Sequence, residues 1–248
     1  LTGRTARYGF HLDEKRRGTA LFHLEVTPRN WTEWGVLGGI VGNAMGSYFQ
    51  VPVIDGITGP APTSDDLKHF GAALASYGST AMFHIVGVTP EAPNVRAVFD
   101  STPPKSTRIS LADIEAFMAG YGEGDDSLDV VVFAAPQLSI IELEKVSELL
   151  RGRSISSGVT LLIATNPENK RAAERFGFAD VIEESGAVLL EGVCFYNMHA
   201  RELGEANGWA RLMTNSAKLT NIIGGYGYDP ILAEMERCVE SAVAGKIV

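Results

Sequence analysis

The stretch from Asp129 to Gly177, DVVVFAAPQLSIIELEKVSELLRGRSISSGVTLLIATNPENKRAAERFG, decides the fold class. It contains two continuous apolar runs, Asp129–Ala134 (DVVVFA) and Val159–Ala164 (VTLLIA). Runs of this length without polar alternation are typical of strands that are buried on both faces of a sheet. We therefore expect two neighbouring parallel strands here.

Each of these strands is followed by a helix with recognisable ends. Ser139 and Glu142 have the spacing of a capping box, in which each side chain bonds to the backbone of the other residue. Asn166-Pro167 places a proline at the first position of the next helix, and Gly177 lies just past its end. Alternating strands and helices predict right-handed crossovers and a parallel sheet covered on both faces.

The same alternation continues outward on both sides. Further strands are predicted at 20–27, 79–87, 187–190 and 211–213, and further helices at 31–45, from Asp65 to about Tyr77, and from Asp229-Pro230 onward. Prolines at 90, 93, 103 and 104 mark a break in the pattern. We predict an α/β fold with three αβα layers and a mostly parallel sheet. Its first subdomain covers residues 1–108, incomplete at its start, and its second covers 109–248.

Composition narrows the class of protein. The 248 residues carry a formal net charge of -9 with only 21 Lys plus Arg, which argues against a nucleic-acid partner or an anionic membrane. No apolar run approaches the roughly 20 residues of a spanning helix, and residues 1–7 lack the apolar region of a signal peptide. Two distant cysteines favour a reducing compartment, so we expect a cytoplasmic protein. Because the chain opens on Leu1 rather than Met, we expect it to be a piece of a longer polypeptide.

The richest polar segment follows the strand predicted at 211–213. Thr214-Asn215-Ser216-Ala217-Lys218 offers hydroxyls, an amide and an ammonium at a strand-to-helix junction, where free helix N–H groups also favour a carboxylate. An equally open interpretation is that Thr214 or Asn215 caps the helix and that Lys218 is solvated.

Each cysteine and histidine can be either a structural residue or a functional one. Cys194 can be a structural thiol or a metal ligand, and no second cysteine lies at the spacing of a metal pair. Cys238 is expected to pack in the core on one face of the last helix. His84 is expected to be a buried, satisfied histidine, whereas His69 and His199 are expected on exposed helix faces.

Four stretches, in this order along the chain, resemble the aconitase X family. They are Leu1–Arg4 (LTGR), Tyr8–Gly18 (YGFHLDEKRRG), Phe83–Ala92 (FHIVGVTPEA) and Thr214–Lys218 (TNSAK). Together with the strand and helix array between them, the resemblance covers nearly the whole chain. It implies an aconitase-like αβα fold and an iron-sulfur-dependent hydro-lyase, of which this chain is the later part of the large domain.

The resemblance also implies roles for particular residues. They are Cys194 as a ligand of the cluster, His11, Ser216 and Lys218 as catalytic residues, and Thr214, Asn215, Ser216 and Lys218 as substrate-binding residues. Two cysteines cannot hold a cluster, so the other ligands are expected outside this chain, and a [2Fe-2S] cluster is favoured over [4Fe-4S]. An upstream segment of the large domain and a small swivelling domain or subunit are the implied partners.

The substrate that the resemblance favours is cis-3-hydroxy-L-proline, a hydroxy amino acid that dehydration would convert to pyrroline-2-carboxylate. Lys218 is followed by Leu219–Ile222 (LTNI) and not by the His-Tyr-Ala-Pro pattern of the phosphomevalonate branch. A large subunit of phosphomevalonate dehydratase is the alternative within the family. A cluster-free domain that binds a small molecule is the alternative from another class.

Overall fold

The first half of the chain forms a parallel sheet of four strands. The computed structural model describes residues 2–122 and 124–248, so Leu1 of the LTGR stretch lies outside the described residues. Strands β1 to β4 are Ala20–Leu24, Pro52–Asp55, His84–Ile85 and Thr107–Ile109, and helices α1 to α3 are Trp31–Met45, Ser64–Gly78 and Leu111–Ala119. The strand order is β3-β2-β1-β4, with all pairs parallel.

The second half forms a separate parallel sheet of five strands. Strands β5 to β9 are Val130–Leu138, Thr160–Thr165, Val188–Glu191, Arg211–Thr214 and Asp229–Leu232. Helices α4 to α9 are Ile140–Leu150, Pro167–Phe176, Phe178–Glu184, Ala200–Asn207, Ala217–Ile223 and Met235–Ala244. The order is β7-β6-β5-β8-β9, and every pair is parallel. The chain thus has the predicted α/β class, divided between two sheets.

The predicted layering is clearest around β5. Val131 and Phe133 pack into one core with residues of α4, α5, α6 and α9. Val130 and Val132 face the opposite side and pack with residues of α7 and α8. Because alternate side chains of a strand point to opposite faces, one continuous apolar run supplies both cores, as expected for the middle layer of an αβα fold.

The helix ends in this half agree with the sequence. Ser139 and Glu142 form the capping box, with the Ser139 side chain accepting from the Glu142 N–H and the Glu142 carboxylate from the Ser139 N–H. Pro167 is at the first turn of α5, and Gly177 ends that helix in the left-handed region at φ 74°.

Two predicted elements were wrong. Asp229-Pro230 does not begin a helix but lies in β9, at the edge of the sheet, and α9 begins at Met235. An edge strand tolerates a proline because one side of its backbone has no strand to pair with. The strand predicted at 79–87 is reduced to His84–Ile85, and Ser79 instead ends α2 in the left-handed region at φ 52°.

Helices α1 and α2 approach each other closely through glycine. A Cβ atom added at Gly38 would lie 2.2 Å from the Phe70 carbonyl oxygen, and one at Gly42 would lie 2.9 Å from the Leu74 carbonyl oxygen. Side chains larger than hydrogen would therefore push the two helices apart. Because α2 also contacts α4 and α8 through residues described below, this packing holds the first sheet against the second.

Among the described residues, no helix is both long and apolar enough to cross a bilayer. The cytoplasmic location expected from the cysteine count stays a prediction.

Candidate functional site

The candidate site lies where β5, β6, β7 and β8 end. These strands are neighbours in one parallel sheet, so their carboxyl ends lie at one edge. Ligands of open α/β sheets gather at this edge. Cys194 lies in the turn after β7, and the Thr214–Lys218 segment runs from the last residue of β8 into the first turn of α8.

Thr214 and Ser216 are buried and use their hydroxyls on the backbone of β5. The Thr214 hydroxyl donates to the Val132 carbonyl (2.7 Å), and the Ser216 hydroxyl donates to the Ala135 carbonyl (2.5 Å). The Ser216 oxygen also accepts from the Leu219 N–H at 3.1 Å, so Ser216 caps α8. Both side chains therefore hold the turn after β8 against β5.

Ala135, whose carbonyl accepts the Ser216 hydrogen bond, has an unusual backbone conformation. It is a non-glycine residue in the left-handed region, at φ 52°, and the bond that follows it to Pro136 is cis. A β-strand residue with positive φ carries a conformational cost, and such residues concentrate at functional sites. Its position against Ser216 supports a site at this edge.

Asn215 has a buried amide nitrogen with no acceptor among the described residues. The residue is 1% exposed, and its Nδ2 atom makes no hydrogen bond. An unpaired buried donor costs about 1–3 kcal/mol, so natural proteins rarely keep one without a use. No hydrogen bond among the described residues therefore explains the burial of this donor.

Lys218 and Tyr196 bring the turns after β8 and β7 together. The half-buried Lys218 places its ammonium 5.8 Å from the centroid of the Tyr196 ring, within cation–π range. Burial, together with the neighbouring Cys194 thiol, raises the pKa of Tyr196. An ammonium, a phenol that stays protonated and a half-buried thiol therefore share one patch.

The two cysteines have different environments. Cys238 is fully buried, its sulfur donates to the Ala233 carbonyl at 3.6 Å, and burial raises the pKa of its thiol. It is a core residue, as predicted. Cys194 immediately precedes the short 3-10 helix Phe195–Asn197 and is half-buried at the site edge.

The described residues fit one ligand of an iron-sulfur cluster and not a complete set. Within residues 2–122 and 124–248, no group of three or more His, Cys, Asp or Glu is arranged to hold a metal ion. Cys194 is the thiol at the site edge, and Cys238 is enclosed in the core. A cluster at this edge would therefore need further ligands from another segment or chain.

His11 lies apart from these residues. It is exposed in the 3-10 helix Gly9–His11, with its ring nitrogens 3.4 and 3.5 Å from the Thr5 hydroxyl. It lines an open cavity of about 1160 Å³ together with residues 48–49 and 99–101, which precede β2 and β4. This is the amino-terminal edge of the first sheet, and no contact among the described residues joins His11 to Lys218 or Cys194.

Arg16 of the same segment fastens it to a loop of the first sheet. Arg16 forms an ion pair with Glu91 and donates to the Phe10 carbonyl at 2.7 Å. The buried His84 lies 2.7 Å from the Arg16 carbonyl oxygen, as expected for a satisfied histidine.

A buried cluster of charged side chains lies beside the site and was not predicted from the sequence. His69, expected on an exposed face, is 3% exposed and stacks on Trp31. Its Nε2 atom lies 2.6 Å from a carboxylate oxygen of Glu142, which is 0% exposed and also pairs with Lys68. The capping-box spacing had explained Glu142 locally, and its partners on α2 are about 70 residues away in sequence.

Comparisons with known proteins agree with the resemblance in the sequence. The model of the aconitase X second domain matches residues 18–119, and that of the third domain matches residues 128–244. The division predicted between residues 108 and 109 stays a prediction.

Two curated relatives match nearly all of this chain. Cis-3-hydroxy-L-proline dehydratase of Pseudomonas aeruginosa is 33% identical over 99% of this chain and 42% of the relative. The large subunit of phosphomevalonate dehydratase of Methanosarcina mazei is 30% identical over 99% of this chain and 57% of the relative. The chain thus spans about half the length of these relatives.

One solved structure has the same fold. The holo-form of aconitase X from Thermococcus kodakaraensis superposes with a TM-score of 0.81 at 24% identity, covering 97% of this chain and 59% of that one.

Proposed function

The chain belongs to the aconitase X family, of which it carries the second and third domains, and on this premise we propose that it is part of a hydro-lyase. The observation that carries the proposal is that one carboxyl edge of a parallel sheet carries the unpaired Asn215 amide, the Lys218 ammonium over the Tyr196 ring, and the Cys194 thiol of the neighbouring turn. The relatives named above are dehydratases.

The residues of this edge can bind and orient a carboxylate. Lys218 would pair with the negative charge, and the Asn215 N–H would donate to one of its oxygens, because an ammonium and a neutral amide are complementary to that group. Ser216 and Thr214 would keep this turn in place through their bonds to β5. A catalytic role of Ser216 beyond this holding role stays a prediction.

An iron-sulfur cluster, where bound, would supply a Lewis acid for the departing hydroxyl. Cys194 would be this chain's ligand, and Tyr196 follows it two residues along the same turn. The remaining ligands, an upstream segment and a small swivelling domain or subunit complete the proposed enzyme. A large-subunit name among the relatives supports such a partner.

We favour cis-3-hydroxy-L-proline as the substrate and pyrroline-2-carboxylate as the product. The support is the 33% identity to a dehydratase of that substrate and the LTNI sequence after Lys218. Phosphomevalonate is the second candidate, because several relatives are large subunits of its dehydratase. A phosphate would require further cations beside Lys218.

The test is an assay of the intact polypeptide with its partner domain, loaded anaerobically with iron, on both substrates. Lys218→Ala should lower kcat/KM by about 10- to 100-fold, the value of a charged hydrogen bond. Lys145→Ala is the matched control, because that lysine pairs with the exposed Glu236. Cys194→Ser should lower the iron content, whereas Cys238→Ala should not. Unchanged kinetics and iron content in the Lys218 and Cys194 variants would overturn the site.

A further inference from the structure

A buried cluster of charges joins the first sheet's helices to the second sheet. Lys68 and His69 of α2 both contact the Glu142 carboxylate of α4. Lys68 also pairs with Asp65 at 3.1 Å, and Asp65 in turn accepts from the Ser139 hydroxyl at 2.6 Å. The ammonium is therefore held between two carboxylates.

Stability alone does not explain this cluster. Burial by itself would raise the pKa of Glu142, but the hydrogen bond and charge of His69, with those of Lys68, hold it below its ordinary range. The carboxylate is therefore ionised and fully buried, and the Lys68 ammonium, on a side chain that is 26% exposed, loses part of its hydration. Attraction within such a pair roughly offsets that loss, so the net gain is small.

The cluster continues from Lys68 toward the candidate site. The Lys68 ammonium donates to the backbone carbonyl of Gln137, near the end of β5, at 3.2 Å. The side-chain amide of Gln137 donates to the carbonyl of Val193 at 2.8 Å. Val193 directly precedes Cys194, so two hydrogen bonds lead from α2 to the turn that carries the thiol.

This turn needs support from outside its own strand. β7 is an edge strand, separated from β5 by β6. The turn is fastened to β6 by the Gly192 N–H, which donates to the Thr165 carbonyl at 2.8 Å. The Gln137 side-chain amide extends past β6 to the Val193 carbonyl. The backbone before Cys194 is therefore held by hydrogen bonds at both Gly192 and Val193.

We propose that Lys68 is a positioning residue for Cys194 and acts through Gln137. The ammonium fixes the Gln137 backbone, and the Gln137 side chain fixes the turn at Val193. The first sheet's α2 helix thereby sets where the thiol lies in the second. The consequence for catalysis rests on the proposed function, whereas the tether itself does not.

The test measures the reactivity of the Cys194 thiol in the cluster-free protein. Alkylation by iodoacetamide is followed by mass spectrometry, with the enclosed Cys238 as internal reference, because its burial and raised pKa protect it. Gln137→Leu should change the alkylation rate of Cys194 by about three-fold or more, since releasing the turn alters its local opening. Lys68→Met should change the rate in the same direction.

A double-mutant cycle separates positioning from general stabilisation. If Lys68 acts through Gln137, Cys194 of the double variant should be alkylated at the same rate as in the single variant with the larger effect. Lys68→Arg should retain most of the wild-type rate, and Lys145→Met, which breaks a surface ion pair between α4 and α9, should leave it unchanged. Melting temperatures are measured in parallel for every variant.

Two results would overturn the inference. One is an unchanged alkylation rate in Gln137→Leu, a variant that leaves the charge cluster intact and so does not depend on Lys68→Met folding. The other is a double variant whose effect equals the product of the single effects. The alkylation experiment does not depend on dehydratase activity. If the intact enzyme had no dehydratase activity but its variants showed the expected alkylation pattern, only the proposed function would be refuted.

Discussion

Replacing Asn215 by leucine should make the protein more stable and less active. The Asn215 side chain is 1% exposed, and its Nδ2 atom has no acceptor among the described residues. Leucine has a similar size and removes the donor whose burial costs about 1–3 kcal/mol. We expect a gain near the lower end, about 1 kcal/mol in the free energy of unfolding, because a branched side chain fits imperfectly where a flat amide lay.

The assay is urea denaturation at neutral pH, supported by thermal melts, in which 1 kcal/mol corresponds to roughly 2–4 °C for a chain of this size. Asn221→Leu is the matched control. Its Nδ2 atom is paired, with the Ser76 carbonyl at 3.1 Å and the Ser76 hydroxyl at 2.9 Å. Losing these exposed bonds should lower the free energy of unfolding by roughly 0.5 kcal/mol.

Activity supplies the second half of this prediction. If the Asn215 amide donates to the substrate, Asn215→Leu should lower kcat/KM of the intact enzyme by about ten-fold or more. A less stable Asn215→Leu variant would refute the claim that the amide is unpaired. A more stable variant with wild-type kinetics would refute its role in binding.

Three further changes test other parts of the structure. Glu142→Gln should lower the free energy of unfolding at neutral pH by about 1.5–3 kcal/mol, the value of hydrogen bonds to a charged group. It removes the carboxylate that pairs with Lys68 and with the buried His69, while Lys68 keeps its second carboxylate, Asp65. The pKa of Glu142 is lowered from 4.5 in the folded state, so the wild-type protein is the more stable of the two above that pH. It loses this extra stability as the pH falls through the folded-state pKa. Urea denaturation at stepwise lower pH should therefore show the stabilities of the two proteins converging. Gly38→Ala should lower the melting temperature despite alanine's higher helix propensity, because a carbonyl of α2 lies 2.2 Å from the new Cβ atom, and an unchanged melt would contradict that packing. His11→Ala should reduce turnover of the intact enzyme more than Lys15→Ala does, because an imidazole can donate a proton to a hydroxyl or carboxylate; equally mild effects would assign this segment to solvent.

The second half of the fold could be predicted from the sequence because its signals are local. A capping box, a proline at a first turn and a glycine after a last turn act within three or four residues, and each is found where the pattern placed it. The error at Asp229-Pro230 has the same origin. A proline after an aspartate begins many helices, and only the neighbouring β8 shows that this backbone pairs as an edge strand.

The candidate site was predictable in part. The TNSAK segment and Cys194 could be singled out because they follow strands of one sheet, and the turns that carry Lys218 and Cys194 do meet, through Tyr196. Which residues of the TNSAK segment hold the backbone and which remain unpaired could not be predicted from the sequence. Ser216 and Asn215 are adjacent and both polar, yet one hydroxyl is bonded twice and the other side chain's amide is unpaired.

The sequence by itself determined the parallel α/β architecture, the ends of helices such as α5 and the family, because periodicity, caps and motifs are properties of neighbouring residues. The tertiary structure alone decided which polar groups lost contact with water and what they met there. His69 and Glu142 are 73 residues apart and look like surface groups on their own helices. They are buried and paired because α2 packs against α4, and desolvation depends on what covers a side chain, which no local pattern records.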